Sequence, residues 1–154
     1  GEIVLTNDNP VWFYTDDRGT YFAGGGGLYS TAADYVRFAQ MLLNGGELDG
    51  VRILSRPTVR MMTSDSTGGI PILDGAGDTQ ATHGDRYGFG LGIRTHPQDN
   101  ESVGVFGWGG AFHTLFWVDP TEDLIGIFMA QLRSMPDKSQ HRTFTAMTYA
   151  AIRD

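Results

Sequence analysis

Hydrophobic residues recur at helical spacing from Thr31 onward. Ala32, Tyr35, Val36, Ala39, Leu42 and Leu43 fall at i, i+3, i+4 and i+7 positions and predict an amphipathic helix. Thr31 is placed to cap it, with Asp34 three residues on able to reach back, and Asn44-Gly45-Gly46 ends it. Leu48-Asp49-Gly50-Val51 then predicts a tight turn, and Ser55-Arg56-Pro57 opens a short helix through Met61 and Met62. Thr63 to Asp85 is rich in Gly, Asp, Thr and Ser, broken only by an apolar patch at Ile70 to Leu73. This segment is expected to be a long surface loop.

The period then changes from 3.6 to 2. Tyr87, Phe89, Leu91 and Ile93 alternate with three glycines, predicting a strand with one bare face that admits close approach by another element. His96 to Asn100 is expected to turn, and strands are expected at Val103 to Phe106, Ala111 to Val118 and Leu124 to Leu132, the second apolar on both faces. Asp119 to Asp123 supplies the turn between the last two, which makes an antiparallel meander. After a polar loop around Pro136, Phe144, Met147, Thr148, Ala151 and Ile152 predict a terminal amphipathic helix over one sheet face. The class implied is α+β, an antiparallel sheet flanked by helices, with 1–86 as the helical and loop portion and 87–154 as strands plus terminal helix. The aromatic, Asn- and Asp-rich stretch from Ile3 to Tyr21 reads as irregular or short extended chain.

Composition narrows the function classes. The chain has 154 residues, 40% of them hydrophobic, which is enough to cover a core. With no cysteine there is no disulfide framework, thiolate metal site or thiol nucleophile. A net charge of -7 with a single lysine, Lys138, lacks the electrostatic footprint of a nucleic-acid binder. No apolar run approaches ~18 residues, so no membrane-spanning helix is expected, and with no targeting signal in view a cytoplasmic setting is the default expectation. Glycine stands at 22 of 154 residues, about twice the usual ~7%. It sits at joints and inside the alternating strand, where backbone turns sharply or packs closely.

Glycine also suggests chemistry. Gly107-Trp108-Gly109-Gly110-Ala111 is expected at the start of the most buried strand, where missing side chains let a ligand lie against backbone N–H and C=O groups, and such an N–H can stabilise an oxyanion. The structural reading beside it is a glycine-eased strand start with Trp108 in the core. Gly24 to Gly27 precedes a helix but lacks the Gly-Lys-Ser/Thr of a phosphate loop, and Gly88, Gly90 and Gly92 have the wrong spacing for a dinucleotide fingerprint. His83, His96, His113 and His141 are dispersed without ligand spacing, so no metal or other cofactor is expected. His113, a few residues past the glycine pair, either lines a cleft or is a satisfied core histidine. Neither Gly-x-Ser-x-Gly nor Ser-x-x-Lys occurs in the chain.

Taken in order, Gly24 to Gly46, Leu48 to Ser55, Tyr87 to Gly92, Gly107-Trp-Gly-Gly-Ala111 and Phe116-Trp-Val-Asp-Pro120 closely resemble the C-terminal half of the serine beta-lactamase-related superfamily. The likeness is nearest to the class C-like esterases called family VIII carboxylesterases, and it covers nearly all of the chain from Gly24. It implies a partial beta-lactamase/transpeptidase-like fold from a serine hydrolase whose Ser-x-x-Lys helix and Tyr-x-Asn loop lie upstream. The chain is thus expected to be a C-terminal fragment, inactive alone, with an exposed sheet edge that invites homo-oligomers or pairing with the N-terminal part. By the resemblance Trp108-Gly109-Gly110 takes the place of the Lys-Thr-Gly or His-Thr-Gly triplet, and the backbone N–H of Ala111 is one oxyanion donor. Trp108, Gly109, Gly110 and His113 are the expected substrate contacts. Trp108 in place of a lysine removes the cation that grips a beta-lactam carboxylate, which favours a small neutral ester as substrate. A beta-lactamase or penicillin-binding peptidase, and a non-catalytic binding module of the same fold, are the alternatives.

Overall fold

The computed structural model describes residues 25, 28–72, 85–97, 100–132 and 139–152. The expectations for Ile3 to Tyr21, Gly24, Gly26, Gly27, His83 and the loop around Pro136 fall outside the described residues. The chain divides between Ser30 and Thr31, and the larger compact unit is Thr31–Asp154. The division of the sequence at 86/87 runs through the first strand of the main sheet.

The caps set the helices. The Thr31 hydroxyl accepts from the Asp34 N–H at 3.1 Å and donates to the Asp34 carboxylate at 3.0 Å, starting α1, Ala32–Leu43. Its end is a double glycine closure: Gly45 N–H bonds the Leu42 carbonyl at 2.9 Å and Gly46 N–H the Met41 carbonyl at 2.8 Å. Gly46 has φ +100, and a Cβ there would lie 2.2 Å from the Leu54 carbonyl oxygen, so only glycine closes this joint. Two short strands, β1 (Glu47–Leu48) and β2 (Val51–Arg52), follow as a hairpin around Asp49 and Gly50, both at positive φ. Ser55 caps α2, Arg56–Met62.

Five antiparallel strands form the main sheet in chain order: β3 (Arg86–Tyr87), β4 (Gly92–Ile93), β5 (Phe106–Gly109), β6 (Leu115–Asp119) and β7 (Leu124–Phe128). Directly opposed residues share a face. Phe106 and Trp108 of β5 oppose Val118 and Phe116 of β6, and these meet Ala39 and Leu42 of α1 and Val59 of α2. On the other face Leu115 and Trp117 pack with Tyr149 and Phe144 of α3, Ser139–Ala150. The α+β class with flanking helices is what the sequence pattern predicts.

Three placements differ from expectation. Tyr87 to Ile93 is two strands, because Gly88 N–H bonds the Leu91 carbonyl at 2.8 Å and Gly90 takes φ +82, reversing the chain. The strand expected at Val103 to Phe106 is shifted to Phe106–Gly109, and the one expected from Ala111 begins at Leu115. Gly110 to Thr114 is therefore a hairpin loop between the two central strands. In α3 the buried stripe is His141, Thr145 and Tyr149, whereas Met147 is 67% exposed. Specific contacts of His141 and Tyr149, described below, fix the helix rotation against its apolar count. The described start of the expected loop is tied down too, since Ser66 donates from both its N–H and its hydroxyl to the Tyr87 carbonyl at 3.0 Å.

Two glycines hold the centre together. Gly107 opposes Trp117 across β5 and β6, and a Cβ at Gly107 would stand 2.1 Å from the Phe116 carbonyl oxygen. Gly126 opposes Trp117 from β7, and a Cβ there would stand 2.2 Å from the indole ring. Gly126→Ala is expected to lower stability by about 1–3 kcal/mol through overpacking, read as a lower urea midpoint at unchanged m-value. An unchanged midpoint would show that the indole is not seated on Gly126.

Candidate functional site at the β5–β6 hairpin

β5 runs out at Gly109 and the chain turns at once. Gly110 N–H donates to the Thr114 carbonyl at 2.9 Å, and His113 N–H donates to the Gly110 carbonyl at 3.1 Å. A Cβ on Gly110 would lie 2.4 Å from the Thr114 hydroxyl, so the glycine permits the closure. His113 sits at φ +66, a left-handed conformation disfavoured for a residue with a Cβ. Its side chain compensates. The imidazole is buried and stacks on His141 of α3 with centroids 3.9 Å apart, edge-on to Phe128, while its carbonyl hydrogen-bonds His141 Nε2 at 3.1 Å. The Phe112 carbonyl accepts from Leu132 N–H at 3.1 Å, adding a second tie.

At the crest, Gly110 and Ala111 are exposed. Among the described residues the Ala111 N–H has no hydrogen-bond acceptor. Trp108 is half-buried against the α1 side of the sheet, its indole edge-on to Tyr87 with centroids 5.2 Å apart. The fold thus gathers Trp108, Gly109, Gly110 and Ala111 at one end of the sheet and puts the His113 ring on the opposite, α3 face. Tyr87 joins Trp108 without having been anticipated. Its signal was present as the aromatic start of the alternating run, but the neighbour depends on the β3–β4 turn.

The sequence matches the family model for Beta-lactamase over residues 3–150. The chain belongs to the Beta-lactamase family. Two Mycobacterium tuberculosis relatives, the uncharacterized protein MT1414 of strain CDC 1551 / Oshkosh and protein Rv1367c of strain H37Rv, are each 38% identical over 122 residues. That match covers 70% of this chain but 28% of each relative, so the chain spans under a third of their length. Among solved structures, a Bacillus anthracis protein assigned as a 6-aminohexanoate-dimer hydrolase superposes with a TM-score of 0.57 at 24% identity, over 79% of this chain and 28% of that one. A Bacteroides dorei DSM 17855 protein assigned as a beta-lactamase gives 0.57 at 20% identity, over 88% and 42%. The fold is that of beta-lactamase-family serine hydrolases.

Three polar anchors position this beta-lactamase-type sheet. Asp119, fully buried at the end of β6 away from the hairpin, accepts from Tyr149 Oη at 2.8 Å, from Thr121 N–H at 2.9 Å, and from Glu122 and Ser102 N–H at 3.3 Å. Burial first, then the hydrogen bond to Asp119 and its charge, push the Tyr149 hydroxyl above its ordinary pKa of 10.0. The buried guanidinium of Arg94, on the residue after β4, holds Glu101 with Nε and Nη2 each 2.7 Å from Oε2. Asp85, just before β3, accepts from His96 Nδ1 at 2.8 Å and from the Thr95 N–H and hydroxyl at 2.9 Å. Burial alone raises the Asp85 pKa, but the hydrogen bonds from His96 and Thr95 outweigh it and hold the carboxyl below the usual range. Its contribution is present above that range and is lost as pH falls through the folded value. Among the described residues, no group of three acidic, His or Cys side chains could hold a metal ion.

Tyr149→Phe removes a hydrogen bond to a buried carboxylate and is expected to cost about 1.5–3 kcal/mol at pH 8. Because the folded pKa is raised, the advantage of Tyr149 is full below pH ~10 and shrinks above it by up to ~1.4 kcal/mol per pH unit. Urea titrations of both proteins from pH 8 to 11 check this. A gap that stays constant with pH would place the hydroxyl outside the Asp119 contact.

Proposed function

We propose that this chain supplies the substrate-binding edge and one oxyanion donor of a serine carboxylesterase that works through an acyl-enzyme on small neutral esters. The observation that carries the reading is the N–H of the exposed residue Ala111, without an acceptor among the described residues, directly after Trp108-Gly109-Gly110. In the reaction a serine hydroxyl, supplied from outside the 154 residues, adds to the ester carbonyl carbon as its proton passes to a base. The carbonyl oxygen takes negative charge and accepts from Ala111 N–H and from the nucleophile's own amide. Collapse expels the alcohol with that proton, and water then frees the acid.

Charge supports the ester. Tyr87 to Ile93 and Gly104 to Val118 contain no Lys, Arg, Asp or Glu, so these segments offer no lysine or arginine to grip a substrate carboxylate. Trp108 offers instead an apolar surface stiffened by Tyr87. Without Ser-x-x-Lys the 154-residue chain is expected to turn over no ester by itself.

The full-length protein is expected to be labelled by a fluorophosphonate and to cleave p-nitrophenyl acetate faster than a cephalosporin. Ala111→Pro deletes one N–H and is expected to reduce kcat by about 10²–10³, with Ala111→Gly near wild type. Absence of labelling would leave a non-catalytic module, and a faster cephalosporin would return the protein to the beta-lactamases.

A further inference from the structure

The two turns at the hairpin end of the sheet lie side by side. Gly92 opposes Gly107, and the strands are antiparallel, so the Gly88–Leu91 turn before β4 emerges where β5 runs into Gly110. Phe89 is the tip of that turn and is 54% exposed. Turn tips favour small polar residues, and a phenyl ring left in water gains nothing for folding. Its mount, however, is rigid. Gly88 N–H bonds the Leu91 carbonyl at 2.8 Å, Gly90 takes φ +82, and Gly88 is pressed so close to α2 that a Cβ would stand 2.0 Å from the Met62 carbonyl oxygen. The residue before it, Tyr87, touches Trp108. A turn held this firmly keeps the exposed Phe89 at the same end of the sheet as the uncharged, half-buried Trp108, a preorganised placement for an apolar ligand group.

We propose that Phe89 is a specificity-determining residue, which together with Trp108 contacts the larger apolar group of the ester. The inference rests on the esterase reading above. Phe89 makes no contact with the reacting atoms; its effect is on which esters are held. The apolar group is carried by either the acid or the alcohol part of the substrate, and the two sources are separable by experiment.

The test compares full-length wild type, Phe89→Ala and Phe89→Leu on p-nitrophenyl acetate, butyrate and hexanoate, and on ethyl, phenyl and benzyl acetate. Phe89→Ala is expected to lower kcat/KM about tenfold for the longest acyl or the aromatic alcohol relative to the smallest ester, with Phe89→Leu between. The series that responds tells which part of the ester meets the ring. Thermal midpoints should be unchanged, because the ring is exposed, and Phe89→Leu carries the comparison should the alanine variant fold poorly. Equal loss on all esters, or no change on any, overturns the specificity role while leaving the esterase reading standing. Failure of wild type to cleave any ester defeats the esterase reading and this one with it.

Discussion

Trp117 is the residue around which the sheet closes. Its indole lies over Gly126 of β7, where a Cβ has no room, and on the other side the Phe116–Trp117 backbone is pressed so close to Gly107 of β5 that a Cβ has no room there either. Phe144 of α3 meets the same indole edge-on at 5.6 Å, so the packing of the ring reaches from β6 over β7 to the terminal helix. Register follows. A one-residue slip would set a side chain against the indole and turn Phe106, Trp108, Phe116 and Val118 away from the α1 core. The position of the Gly110–Thr114 hairpin, and hence of Ala111, is a consequence of that register.

The hairpin is held from one side and left open on the other. His113 adopts a left-handed backbone and is retained there by stacking on His141 and by its carbonyl hydrogen bond. Ala111, two residues before it, is exposed, and its N–H has no acceptor among the described residues. Rigidity on the α3 face and accessibility at the crest are what an oxyanion donor requires, because the donor must be oriented before charge develops. Asp119 and Tyr149 fix the other end of β6, so α3 is fastened to the sheet at both of its ends.

The elements legible in the sequence were those decided locally. Thr31, Ser55, Asp49-Gly50 and Asn44-Gly45-Gly46 act through hydrogen bonds within a few residues, and each stands where its chemistry predicted. Alternation misled at Tyr87 to Ile93, because a strand and a tight hairpin share the same glycine-spaced pattern until tertiary contact selects one. The shift from Val103 to Phe106–Gly109 has a similar origin: Gly107 lies inside the strand because the backbone of the adjacent β6 comes too close for a Cβ, which local pattern does not reveal. The rotation of α3 was hidden since His141 and Tyr149 are buried through polar atoms that hydrophobic spacing does not count. For the site, Trp108 to Ala111 was legible as a motif, whereas Tyr87 and Phe89 gained their places only through the β3–β4 turn.

On the proposed esterase reading, the register of the central strands around Trp117 presents Ala111 N–H to a developing oxyanion. A crystal structure of the full-length protein inhibited by a p-nitrophenyl phosphonate measures it directly. A phosphonyl oxygen is expected about 2.7–3.1 Å from the Ala111 nitrogen, with Trp108 beside the bound group. A phosphonyl oxygen held by other donors, with Ala111 facing solvent, would contradict it.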